Sequence, residues 1–340
     1  MNSLGDISFF RHGRTSQICA VLPRILTIAL IGWWLEPGQV LSQTALRSRA
    51  QLFSPEVPFS FPEGLVAGNR GEVYVLDTDL STLFRVDAQS SKITRLCGPE
   101  TLSSPSDIAV DSHGNLWVLS GVRSKIFKLT LECHVQTEIV SQRLPLRIAA
   151  NAFGEIVVLN GAGENLFELY GSDGKLLRAF GKRLDYQDEA TNSELSDGCI
   201  APDRSGGFFF SFNYPPLIRY YGRGGNLISE FKPESDIVIA PPNVSVRRLG
   251  NSTVVSSRYQ ILVLDMAVDV KGRLYLLLSG KNKVPALTEG TQKLVILAAT
   301  GRILKTAVLE YSFHRVAVGN GRLYLLRNRK PMRLDAYALH

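Results

Sequence analysis

At 340 residues, 45% hydrophobic and 20% charged, with a mean hydropathy of +0.04, the chain can bury a real core; disorder, coiled coil and a many-spanning membrane protein are excluded. Its formal charge of +7 comes from basic residues scattered along the chain, with no block of like charges, so no nucleic-acid surface is expected. Plentiful Gly, Phe and Tyr without long Ala/Glu/Lys/Leu runs lean the composition towards β structure.

The first element in chain order is a targeting segment. Arg11, Arg14 and Arg24 precede the apolar run Ile25 to Leu35; Glu36-Pro37-Gly38 then breaks any helix, and Val40-Leu41-Ser42 offers small residues for cleavage. Residues 1–42 are therefore expected to be a signal peptide, which makes the mature chain, residues 43–340, secreted or periplasmic. The apolar run is too short to span a bilayer, so no membrane span is expected after cleavage. Cys97, Cys133 and Cys199 then remain. They can be three buried thiols, or Cys97 and Cys133 can bridge neighbouring repeats and leave Cys199 free.

The rest of the chain repeats itself. The template apolar-Ala-Val-Asp-x-x-Gly-x-apolar-x-apolar is cleanest at Pro105 to Leu119 and recurs at Leu65 to Val75, Ile148 to Leu159, Ile200 to Phe210, Met266 to Leu277 and Val316 to Leu326. The turn glycines Gly71, Gly114, Gly154, Gly206, Gly272 and Gly321 are 43, 40, 52, 66 and 49 residues apart, the period of propeller blades. Each copy reads as a strand, a tight turn capped by Asp or Asn with Gly at positive φ, and a second strand, followed by two more alternating segments. The expected fold is all-β: a six-bladed β-propeller of four-stranded antiparallel blades, spanning about 60–102, 103–144, 145–195, 196–262, 263–310 and 311–340. The last repeat runs out of chain before a fourth strand, so residues 45–53 are expected to supply it and close the ring.

The copies resemble NHL-type repeats of six-bladed propellers, most closely over residues 105–119 and more weakly over residues 60–339. That resemblance implies the fold. Propellers of this class include extracellular binding modules, lyases and lactonases, so function must come from the site. Phe61-Pro62-Glu63-Gly64 is similar to the Glu-Gly segment of gluconolactonase-like propellers. The likeness implies that Glu63 binds a divalent cation such as calcium at the channel mouth. Where that family carries further Asn or Asp ligands, this chain has Ser106 and Leu264, and Asp197 is the remaining metal candidate.

Aligning the repeats on their Ile-Ala-Val-like triplets brings Gly64, Asp107, Arg147, Cys199, Asp265 and Arg315 to equivalent positions at the mouth, each preceded by Glu63, Ser106, Leu146, Gly198, Leu264 or His314. Two readings follow. Asp107 and Asp265 pair with Arg147 and Arg315 for structural reasons, or these charges recognise an anionic or zwitterionic ligand, with His314 as an acid/base group. The large insertions, residues 181–195 and 233–262, precede inner strands and should project from the same face. Loops between second and third strands add Asn213 and Tyr214 there. Tyr214, before Pro215-Pro216, offers a ring on a rigid turn for stacking on a sugar or peptide. The expectation is a monomeric binding or scaffold module for a protein, peptide or glycan ligand; the alternative is a metal-assisted lactonase, hydrolase or lyase.

Overall fold

The repeat turns form as their side chains dictate. In the second repeat, Asp111 Oδ1 accepts the N–H groups of His113 and Asn115, both at 2.9 Å, while Gly114 takes φ +84°. Asn151 accepts from Phe153 and Glu155, and Asp269 from Lys271 and Arg273, in the same way. Only a residue without Cβ adopts the positive φ of the glycine position at no steric cost, which is why the repeat glycine is invariable along the chain.

The computed structural model describes residues 49–52, 59–186, 189–233, 242–249, 252–258, 261–279 and 292–339. Every described residue belongs to one compact unit, Leu41–His340. The expected signal peptide lies outside the described residues.

That unit is a ring of six four-stranded antiparallel sheets. After β1 (Arg49–Gln51), the first blade holds β2 (Pro62–Ala67), β3 (Glu72–Asp77), β4 (Thr82–Asp87) and β5 (Ile93–Cys97). The second holds β6 (Asp107–Val110), β7 (Leu116–Ser120), β8 (Lys125–Leu129) and β9 (Val135–Val140). The third holds β10 (Pro145–Ala150), β11 (Ile156–Asn160), β12 (Asn165–Tyr170) and β13 (Leu176–Lys182). After the short helix α1 (Glu189–Glu194) comes the fourth, with β14 (Gly198–Pro202), β15 (Phe208–Phe212), β16 (Ile218–Tyr221) and β17 (Leu227–Phe231). A separate hairpin of β18 (Asn243–Leu249) and β19 (Ser252–Arg258) precedes the fifth, which holds β20 (Val263–Val268), β21 (Leu274–Leu278), β22 (Lys293–Leu297) and β23 (Ile303–Val308).

The sixth blade takes β24 (Arg315–Gly319), β25 (Arg322–Arg327) and β26 (Arg333–Ala338) from the end of the chain and its outer strand from the start. β1 pairs antiparallel with β26, Arg49 opposite Tyr337 and Gln51 opposite Asp335, and Leu52 N–H continues the ladder to Leu334 at 2.8 Å. Residues 45–53 were expected to do this, and 49–52 are the part within the described residues.

The inner strands β2, β6, β10, β14, β20 and β24 meet in sequence, and β24 returns to β2. One apolar cluster fills each interface between blades. The seam between sixth and first blades buries Leu52, Val75, Phe84, Tyr324 and Leu334. Between third and fourth, Phe167 packs edge-on against Phe208, Phe210 and Tyr221. At roughly 1.5–3 kcal/mol per large side chain removed from water, these interfaces are what a single blade lacks. A disulfide joins Cys97 at the end of β5 to Cys133 in the turn before β9, linking first and second blades, while Cys199 is a buried free thiol.

The two insertions are structured in part. α1 touches both strands of the β18–β19 hairpin, and Leu195, Tyr214 and Leu262 bury one another with Tyr186 and Val244. Both insertions lead directly into inner strands, so this small cluster stands at the mouth side of the third to fifth blades.

Candidate functional site

The channel is bounded by the inner edges of the six blades, and edge strands carry unpaired backbone N–H and C=O groups. A cavity of about 190 Å³ lies there, and Asp107, Arg147, Cys199, Asp265 and Arg315 line it together. Five of the six equivalent mouth positions thus share one space. The sixth is Gly64, where an added Cβ would lie 2.7 Å from Leu76 Cβ and 3.0 Å from Ile108 Cγ2.

Four collar side chains reach the backbone of the next blade. Asp107 Oδ2 accepts Ile148 N–H at 2.9 Å, and Asp265 Oδ2 accepts Val316 N–H at 2.8 Å. Arg315 Nε donates to the Glu63 carbonyl at 2.6 Å, and the Cys199 thiol lies 3.4 Å from the Leu264 carbonyl. Acids therefore cap edge amides, and donors cap edge carbonyls.

β-bulges decide which carbonyls are on offer. β2 gains one residue against β3 between Pro62 and Gly64, β10 against β11 between Pro145 and Arg147, and β20 against β21 between Val263 and Asp265. The inserted residues are Glu63, Leu146 and Leu264, and a bulge turns its residue out of the ladder. The first and third of these carbonyls are the ones that Arg315 and Cys199 take.

Arg147 is the exception. It is a donor, but β14 of the following blade pairs with β15 without interruption from Gly198 to Pro202, so no inserted residue offers it a carbonyl. Its Nε is buried without a hydrogen bond. Burial works against its charge, yet Asp107, Asp197 and Asp265 outweigh that and hold the guanidinium above its ordinary value. Arg315, by contrast, is 7% exposed, sits 3.9 Å from Asp265 Oδ1 and already serves the Glu63 carbonyl. Burial pushes the Asp265 carboxyl up, opposed by Arg315 and Val316 N–H. Burial likewise holds the Cys199 thiol far above its ordinary value, so it is neutral.

The other candidates sit around this collar. Asp197 Oδ1 accepts Gly198 N–H at 2.7 Å and its Oδ2 accepts Asn213 Nδ2 at 3.0 Å. Asn213 is buried and also receives Leu262 N–H at its carbonyl at 2.9 Å, which ties it to the base of the insertions. Tyr214 is 6% exposed and packs within the insertion cluster. Neither ring nitrogen of buried His314 has a hydrogen bond of good geometry. Burial, then the Arg315 charge, push its imidazole down to about 3 against the nearby carbonyls of Leu326 and Pro62, so it is uncharged at neutral pH. Glu63 stands half-buried in the β2 bulge.

The donor set does not fit a divalent cation. Calcium takes six to eight oxygens, yet among the described residues no three His, Cys, Asp or Glu side chains gather suitably. Arg147 and Arg315 interleave the carboxylates, and Asp107, Asp197 and Asp265 already accept from N–H groups.

Neither a family model nor a curated protein sequence matches the chain. Solved structures match its shape. A streptogramin B lyase shares 15% identity at a TM-score of 0.53, covering 86% of this chain and 98% of that one. A gluconolactonase from Xanthomonas campestris shares 12% at 0.56, covering 85% and 89%. A luciferin-regenerating enzyme shares 13% at 0.56, covering 86% and 95%. What they share with this chain is the six-bladed propeller. Identities this low carry the fold and leave the site to be argued from its own residues.

Nothing in the residue pattern announces the bulges or the unpartnered Arg147. Pro105-Ser106-Asp107 and Pro145-Leu146-Arg147 look alike in sequence, yet Asp107 caps a backbone N–H of the next blade and Arg147 caps nothing among the described residues.

Proposed function

We propose that this chain is an exported propeller that binds the anionic group of a ligand, a small molecule or a group presented by a peptide, protein or glycan, at its channel mouth through Arg147. The single observation that carries this is an arginine lining the cavity with no hydrogen bond to any described residue, while Asp107, Cys199, Asp265 and Arg315 each have one. A guanidinium carries five N–H donors, and an incoming carboxylate would take those that Arg147 leaves unbonded. The α1 and β18–β19 insertions lead into the inner strands β14 and β20 beside this collar. Calorimetric titration with propionate tests the reading: binding that Arg147→Gln abolishes supports it, and propionate binding unchanged by the substitution contradicts it.

A hydrolase or lyase is the second reading, favoured by the gluconolactonase and the lyase whose shape the chain shares. In it the same arginine would hold a substrate carboxylate. Turnover of a lactone or lyase substrate that Arg147→Gln removes would decide for it.

A further inference from the structure

The charges around Arg147 say more about the ligand than the arginine alone. Going round the ring from the second blade, the mouth positions read Asp107, Arg147, Cys199 and then Asp265, Arg315, Gly64, the same order of acid, base and uncharged residue twice. The second triplet balances itself, since Asp265 and Arg315 stand 3.9 Å apart and the arginine also holds the Glu63 carbonyl. The first does not. Around Arg147 lie Asp107 and, from the edge of the fourth blade, Asp197, while Cys199 is neutral. Two carboxylates thus face one guanidinium.

A bare anion seated on Arg147 would add a third negative charge to this sector, and like charges around one cavity repel. A ligand carrying its own cation would not. The sector also has an acceptor to offer it: Asp107 uses Oδ2 on Ile148 N–H, and no described residue bonds its Oδ1. Arg147 and Asp107, from adjacent blades, line the same cavity.

Resting on the anion reading above, we infer that the ligand is a compact zwitterion, its carboxylate on Arg147 and its ammonium on Asp107. The space sets its size. A cavity of about 150 Å³ holds benzene, so the 190 Å³ here suits a molecule of about six to eight non-hydrogen atoms.

Titration of the full-length protein with β-alanine, propionate and propylamine separates the possibilities, because the three share a three-carbon chain and differ only in charged groups. β-Alanine is expected to bind about tenfold or more tighter than either propionate or propylamine. Arg147→Gln should weaken β-alanine and propionate alike. Asp107→Asn can still accept Ile148 N–H through its amide oxygen, which a wild-type melting curve will confirm; it should lower β-alanine to the level of propionate and strengthen propionate. Propionate binding as tightly as β-alanine in the wild type overturns the zwitterion and leaves the anion reading standing. Propylamine binding tightest, or none of the three binding, overturns both.

Discussion

The two arginines of the collar occupy equivalent positions, three blades apart, and have opposite fates. Arg315 faces the bulged strand β2, finds the Glu63 carbonyl turned towards it and pairs with Asp265; it is a rivet in the seam where the ring closes. Arg147 faces β14, which has no bulge, and is left with charges around it and no hydrogen bond. One inserted residue in the neighbouring blade separates a structural cation from an available one. Identical motif positions therefore do not share a role, because the role is set by the backbone of the next blade.

The comparison can be broken at several points, beginning with the ring that holds both arginines. Deleting residues 45–52 removes β1 and the Leu52 contact of the seam cluster, and is expected to abolish the single cooperative thermal transition. A wild-type melting curve would show that the seam needs no N-terminal strand. Arg315→Met should come next, costing about 3–5 kcal/mol in denaturant unfolding, because it leaves Asp265 buried without its cation and Glu63 O without its donor. The matching Arg147→Met removes no hydrogen bond but leaves Asp107 and Asp197 without the cation between them, so it is expected to cost less than Arg315→Met by the carbonyl that only Arg315 holds. Equal losses for the two would erase the distinction.

His314, next to Arg315, sharpens the comparison through pH. Its folded-state value of about 3 lies below the ordinary 6.5, so the unfolded chain binds the extra proton. The neutral ring's contribution is whole above pH 6.5 and is lost as pH falls towards 3, at about 1.4 kcal/mol per pH unit. Denaturant unfolding at pH 7 and pH 5 should therefore show a fall of about 2 kcal/mol from this residue. His314→Gln should be flatter by that amount, and an equal slope in wild type and variant would contradict the buried neutral ring. The smallest effect is expected at Asp107→Asn, within about 1 kcal/mol of wild type in unfolding, since the amide oxygen can still cap Ile148 N–H.

Much of the ring was legible in the sequence because it rests on local chemistry. The Asx-capped glycine turns at Asp111, Asn151 and Asp269 and the missing last strand are properties of short segments, and they led to six blades and a borrowed strand. Triplet alignment also brought Asp107, Arg147, Cys199, Asp265 and Arg315 to one cavity. What it could not reveal was pairing. Whether Pro145-Leu146-Arg147 carries a bulge depends on how β10 meets β11, and whether Arg147 finds a carbonyl depends on β14, more than fifty positions along. The hairpin within residues 233–262 and the burial of Tyr214 against Leu195 and Leu262 were hidden likewise, because both arise where two insertions meet.

The most direct test melts wild type, Arg147→Gln and Arg315→Gln side by side, with and without saturating propionate or β-alanine. The account predicts that Arg147→Gln melts above Arg315→Gln and shows no rise with ligand. Arg315→Gln should melt lower, on the order of 5–10 °C, and still rise when ligand is added. A ligand-induced rise that survives Arg147→Gln, or vanishes only in Arg315→Gln, would contradict it.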